Sequence, residues 1–147
     1  VRTLRQLVRE RLPILGFDQM TTAQFIEQCG GCGALAGMVF RTGNLGEQSQ
    51  DPSLQAFLRR WRARHPNVDT LLPMIQYAGM QVMFEALRLA GNDLSRTHIR
   101  DSFYTIRNFP TILGPINVER NGETQNTVHI MRFDDQCGQV IVRENYA

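Results

Sequence analysis

Two places in this sequence have the residue types and spacing for chemistry: Cys29-Gly-Gly-Cys32, and Asp18 just past the short apolar run Pro13–Gly16. A C-x-x-C pair works as a redox centre when it opens a helix, where the dipole favours a thiolate. This pair follows a predicted helix, so the dipole works against the thiolate. A disulfide within the short glycine-rich loop is the plainer expectation for an oxidising compartment, and a thiol oxidoreductase is the rival reading. Zinc needs four ligands; only Cys137 and the distant His65, His98 and His129 remain, and the histidines share no ligand spacing. No metal is therefore expected. In open α/β sheets, ligands bind beyond the carboxyl ends of strands, which puts the Asp18 carboxylate where it can face a cleft. The competing role is a loop or helix-capping Asp ahead of Thr21. Phe17, Gln19 and Met20 adjoin Asp18 and can line the same pocket, or simply pack the loop. There is no Ser-His-Asp order, P-loop or G-x-G-x-x-G, and Gly30, Gly31 and Gly33 do not follow a strand. No catalytic residue and no cofactor are expected.

The totals narrow the class. The chain has 147 residues, 42% hydrophobic and 20% charged, an ordinary globular balance. No apolar run approaches the ~20 residues that span a bilayer. The net charge of +2 is too small to argue for a nucleic-acid partner. All 16 basic residues are Arg. Arginine-favouring codon usage is the plain explanation, and a phosphate-binding surface is the sharper one, disfavoured by the low net charge. The cluster Arg59–Arg64 reads as a solvated helix face. No signal peptide is visible; Val1-Arg2-Thr3-Leu4 leads straight into an amphipathic pattern, so the true N-terminus is expected elsewhere.

The elements that must position these residues follow from periodicity. Arg2–Leu12 reads as a helix, Pro13–Gly16 as a short buried strand and 17–20 as the loop at its carboxyl end. Thr21 and Gln24 form a capping box for a helix through Cys29, ended by Gly30-Gly31. Leu35–Arg41 is a second strand, and Thr42–Gln50 a loop. Asp51-Pro52 opens a helix with Leu54, Phe57, Leu58 and Trp61 on one stripe. Met74–Ala90 is the longest helix. Ile75, Ala78, Gly79, Val82, Ala86 and Leu89 form one face, while Met80, Met83, Phe84 and Leu87 fill much of the rest, which predicts burial between layers. Thr97–Arg107 is a shorter helix, and strand-like hairpins follow Pro110. Alternating helices and apolar strands imply an α/β layered fold with a parallel sheet. Two parallel strands do not make a stable sheet alone, so further strands are expected from before Val1.

Four segments carry a resemblance to a known family: 12–18 (Leu-Pro-Ile-Leu-Gly-Phe-Asp), Phe25–Phe40, Gln76–Gly91 and Leu113–Gly122. In order and spacing they are similar to the last portion of the type I periplasmic solute-binding proteins of branched-chain amino-acid ABC transporters. The resemblance implies part of a two-lobe fold of three-layer α/β/α lobes, with hinge crossovers and C-terminal β-hairpins. It implies that 1–41 end the second lobe, 42–126 return to the first, and 127–147 are C-terminal strands crossing back to the second.

By the same resemblance Asp18 receives the α-ammonium group of the ligand, a charge-assisted bond suited to a closing cleft. It also places Met74 and Tyr77 near the hinge and cleft; the apolar spacing alone reads them as core. The implied role is the extracytoplasmic, periplasmic solute-binding component of an ABC importer. Its ligand would be an amino acid or related small carboxylate, its partners the ABC permease membrane subunits, and it would not be an enzyme. Ala78 stands where many members carry Asp, and Gly33–Ala36 lacks their usual Glu, which bears on ligand identity. The rival on the same fold is a ligand-sensing regulatory domain.

Overall fold

The computed structural model describes residues 14–43 and 45–146. The predicted helix Arg2–Leu12, and Pro13 of the first predicted strand, lie outside the described residues. The chain divides into two compact units. Unit 1 joins the segment ending at Gly43 to Val128–Tyr146, and unit 2 is the segment between them.

In unit 1, β1 (Leu15–Phe17) pairs in parallel with β2 (Val39–Thr42), Leu15 opposite Val39 and Phe17 opposite Arg41. The connection carries α1 (Ala23–Gln28) and a single helical turn, α2 (Cys32–Leu35). A parallel pair needs such a crossover, because a tight turn cannot reverse the chain twice. The cap of α1 is Thr22, one residue beyond the predicted capping box: its hydroxyl accepts from the Phe25 N–H at 3.3 Å. The second strand also begins later than predicted. Gly37 has φ +78°, a left-handed conformation that closes α2 and delays the extended run to Val39. The predicted strand Leu35–Arg41 is thus corrected to a helix end, a turn and a strand.

The sheet continues with β6 (Val128–Phe133) antiparallel to β2 and β7 (Gln139–Tyr146) antiparallel to β6, in the order β1-β2-β6-β7. Leu35, Met38, Phe40, Met131 and Phe133 are each no more than 1% exposed. The Phe40 and Phe133 rings lie 4.9 Å apart in a tilted pair. The expected Cys29–Cys32 bridge is overturned. Cys32 is bonded to Cys137 in the β6–β7 turn, with their Cα atoms 5.0 Å apart, while Cys29 is a free, buried thiol. Cys29 ends α1 and Cys32 opens α2. The glycine pair between them, both at positive φ, separates the two cysteines into different helices.

Unit 2 is built on α3 (Pro52–Arg64), α4 (Leu71–Ala90) and α5 (Arg96–Phe103). Asp51 caps α3 by accepting from the Ser53 and Leu54 N–H groups at 2.8 and 2.9 Å, and Pro52 takes the first helical position. Helix α4 starts at Leu71 rather than Met74. The Asp69 carboxylate accepts from the Leu71 N–H at 2.7 Å, and a Pro in the first turn breaks no helical bond. Ser95 caps α5, which ends at Phe103 rather than Arg107. A small antiparallel sheet of β3 (Phe109–Thr111), β4 (Gly114–Val118) and β5 (Thr124–Gln125) closes the unit. Gln81 reaches from α4 to accept from the Ile112 N–H at 3.0 Å.

Two clusters fill the core of unit 2. Leu54, Phe57, Leu58, Met74, Ala78 and Ile112 form one. Val82, Ala86, Ile106, Ile116 and Val118 form the other. The predicted burial of α4 on most sides is corrected. The buried face runs through Leu71, Met74, Ala78, Val82, Ala86 and Ala90, turned toward Met74 from the predicted one. Ile75 and Leu89 are each 40% exposed, and the side carrying Met80, Met83 and Phe84 lies open.

Candidate functional site

The parallel pair β1–β2 gives unit 1 a defined carboxyl edge, where ligands of α/β sheets sit. At that edge β1 ends at Phe17, and Asp18 opens a 3-10 turn, Asp18–Thr21, that packs beside both strands. The structure therefore gathers Phe17, Asp18, Gln19 and Met20 at one strand end. Phe17 is 47% exposed, so its ring is available at this edge. Met20 is half-buried and folds back over Gly16: a Cβ added at Gly16 would lie 2.5 Å from the Met20 sulfur. A side chain at Gly16 would have to displace the flexible Met20 thioether.

The same edge holds a residue that sequence reading passed over. Arg41 stands directly across from Phe17 in the sheet register and is exposed. The strand-end rule, applied to β2 as it was to β1, would have found it. Next to it, Thr42 faces His129 across β2–β6, and the Nδ1 atom of His129 is buried without a hydrogen-bond partner.

Met74 and Tyr77 belong to unit 2 and to different environments. Met74 is 2% exposed, inside the first core cluster. Tyr77 is 40% exposed, with its ring 5.0 Å from that of Phe57. It borders a shallow groove of about 270 Å³ shared with Phe57, Arg60, Trp61, Arg64 and His65. The Trp61 and His65 rings lie 4.2 Å apart, and Trp61 Nε1 is buried without a partner. Arg60 and Arg64 thus line a groove instead of only a solvated helix face.

Cys32 is bonded to Cys137 and Cys29 is a buried thiol, so the structure does not join Cys29 to Cys32 as the thiol oxidoreductase reading requires. Among the described residues, no three His, Cys, Asp or Glu side chains gather where they could hold a metal ion. Among them, too, no helix is long and apolar enough to cross a membrane.

No protein-family model and no curated protein matches the sequence. Solved structures do. A leucine-binding protein of Thermotoga maritima superposes with a TM-score of 0.77 at 23% identity, over 97% of this chain and 39% of its own. This is the type I periplasmic-binding-protein fold. A branched-chain amino-acid transporter substrate-binding protein of Streptococcus pneumoniae, solved with isoleucine, matches 96% of the chain and 40% of its own, with a TM-score of 0.72 at 17% identity. A solute-binding protein of R. palustris, solved with benzoate, matches 90% of the chain and 36% of its own, with a TM-score of 0.68 at 14% identity. The chain therefore spans about two fifths of the solute-binding proteins it matches. The periplasmic-binding-protein fold accounts for the parallel β1–β2 pair, the crossover helices between its strands and the return of the chain to the sheet at β6 and β7.

Proposed function

We propose that the chain is the C-terminal part of an extracytoplasmic solute-binding protein of an ABC importer, and that it helps capture an amino acid or related small carboxylate in an interlobe cleft. The observation that carries this reading is the fold likeness to a leucine-binding protein over 97% of the chain. Residues 1–41 and 127–147 are assigned to the second lobe and 42–126 to the first. The division of the chain after Gly43 and after Thr127 supports that assignment. A periplasmic location is supported by the Cys32–Cys137 bond, since disulfides persist in oxidising compartments. The membrane partners are the permease subunits of the importer.

At the carboxyl edge of unit 1, Asp18 takes the α-ammonium group of the ligand, with Phe17, Gln19 and Met20 around it. Arg41 offers a guanidinium for a ligand carboxylate, a geometry that can bond it through both oxygens. Tyr77 and Met74, in the segment assigned to the first lobe, are the further candidates for ligand contact. Calorimetric titration of the complete gene product with leucine, isoleucine, valine and benzoate, beside Asp18→Asn, tests this. Loss of an ion-paired partner in a closed site should weaken amino-acid binding by about 2 kcal/mol or more, roughly thirtyfold. Amino-acid binding with an unchanged constant in Asp18→Asn would keep the solute-binding role and remove Asp18 as the ammonium partner.

A further inference from the structure

The second half of α3 gathers unlike residues on one side. Phe57, Arg60, Trp61 and Arg64 follow at i, i+3, i+4 and i+7, the spacing of a single helix face. The Phe57 and Trp61 rings stack at 6.1 Å, and the Tyr77 ring of α4 lies 5.0 Å from that of Phe57. The groove of about 270 Å³ that these residues line with His65 thus has aromatic walls and a guanidinium rim. Arg60 and Arg64 are exposed. Among the described residues, no acidic side chain lines the groove and neither arginine is paired with a carboxylate. The C-terminal end of a helix carries about half a negative charge, which opposes an anion, but two whole positive charges outweigh it. The indole nitrogen of Trp61 is buried without a hydrogen-bond partner. Such donors are rare in folded proteins.

We propose that this groove of unit 2 is a binding site of its own, for a small aromatic carboxylate. The ring lies against Trp61 and Tyr77, and the carboxylate sits between Arg60 and Arg64, each able to bond both of its oxygens. An inorganic anion or an aliphatic acid would use the arginines and leave the aromatic walls idle; a neutral ring would do the opposite. The volume falls just below the range of drug-sized pockets, about 300–1,000 Å³, which suits a ligand of one ring. An oxygen seated beside the Trp61 nitrogen supplies the acceptor it lacks. That nitrogen is closed to solvent, so the contact comes with a side-chain adjustment of the kind common on binding. This inference goes beyond the proposed cleft. Every residue of the groove belongs to unit 2, so the site stands whether or not the carboxyl edge of unit 1 takes an amino acid.

Nuclear magnetic resonance of the nitrogen-15-labelled complete gene product reads the groove through the indole N–H of Trp61, assigned by its disappearance in Trp61→Phe. The probes are benzoate, cyclohexanecarboxylate and benzamide. Benzoate should move this resonance saturably, with cyclohexanecarboxylate and benzamide each at least about tenfold weaker. In the double variant Arg60→Gln, Arg64→Gln, the benzoate concentration for half the effect should rise at least about tenfold. In Arg41→Gln, which alters the edge of unit 1, it should not change. A resonance unmoved by about 10 mM benzoate would overturn the proposal. So would equal responses to benzoate and either of the other probes, or an effect lost in Arg41→Gln and kept in the double variant. A titration with leucine on the same sample reads the cleft separately, so either site can fail without the other.

Discussion

Units 1 and 2 differ in how far their own residues close them. In unit 1 the side chains of Phe40, Met131 and Phe133 are at most 1% exposed on a four-stranded sheet, and a disulfide ties the β6–β7 turn to α2. Unit 2 contains no cysteine, its core lies between helices and a small sheet, and its longest helix leaves one side uncovered. In unit 1 the exposed large apolar side chains stand on the two edge strands, Leu15 of β1 at 77% and Val142 of β7 at 52%, whereas in unit 2 most run along one helix.

Substitutions can sharpen that contrast. The largest effect is expected for Phe133→Ala, which leaves a cavity beside Phe40 in a fully buried site. Urea unfolding of the complete gene product should show a loss of about 3–5 kcal/mol. A loss under about 1 kcal/mol would mean that the aromatic pair is not the centre of unit 1. Next comes Cys137→Ser, which opens a bridge between positions 105 residues apart. It should cost about 2–5 kcal/mol under oxidising conditions and nothing once the wild type is reduced. Thiol titration of the unfolded, unreduced wild type should give a single thiol, that of Cys29.

The contribution of unit 2 is probed more gently. Asp51→Ala removes the acceptor for two N–H groups at the start of α3 and should cost about 1 kcal/mol. The smallest effect belongs to Glu85. Its hydrogen bond to Arg88, with help from the guanidinium charge, holds its carboxyl below the usual Glu value. A carboxylate whose folded pKa is depressed contributes stability above its unfolded pKa and loses it as pH falls through the folded one. Glu85→Gln should therefore slightly flatten the acid side of the stability profile and leave neutral pH nearly unchanged. A change confined to alkaline pH would contradict the pairing.

The fold class was legible in the sequence because its signals are local and repeat. Asp51-Pro52 fixes a helix start through one carboxylate and one locked φ, and the stripe Leu54, Phe57, Leu58 declares its buried side. What failed depended on distant partners. Nothing near Cys32 announces Cys137, because the β2–β6–β7 pairing that joins them is set by residues about 100 positions apart. Periodicity marks α4 as apolar on opposite sides but cannot say which layer is present to cover each. At the candidate site Asp18 was readable from the strand-end rule. Arg41, last residue of the second predicted strand, was within reach of the same rule, but its position across from Phe17 depends on a register that the sequence does not show.

The central claim is that this chain belongs to a solute-capturing protein with its ligand at the carboxyl edge of unit 1. Thermal unfolding of the complete gene product against amino acids and small aromatic or aliphatic acids tests it most directly. A ligand at about a hundred times its dissociation constant should add roughly 2.7 kcal/mol of stability. The account predicts such a shift with one amino acid and its loss in Asp18→Ala. An unfolding temperature that no amino acid or small acid moves would contradict it.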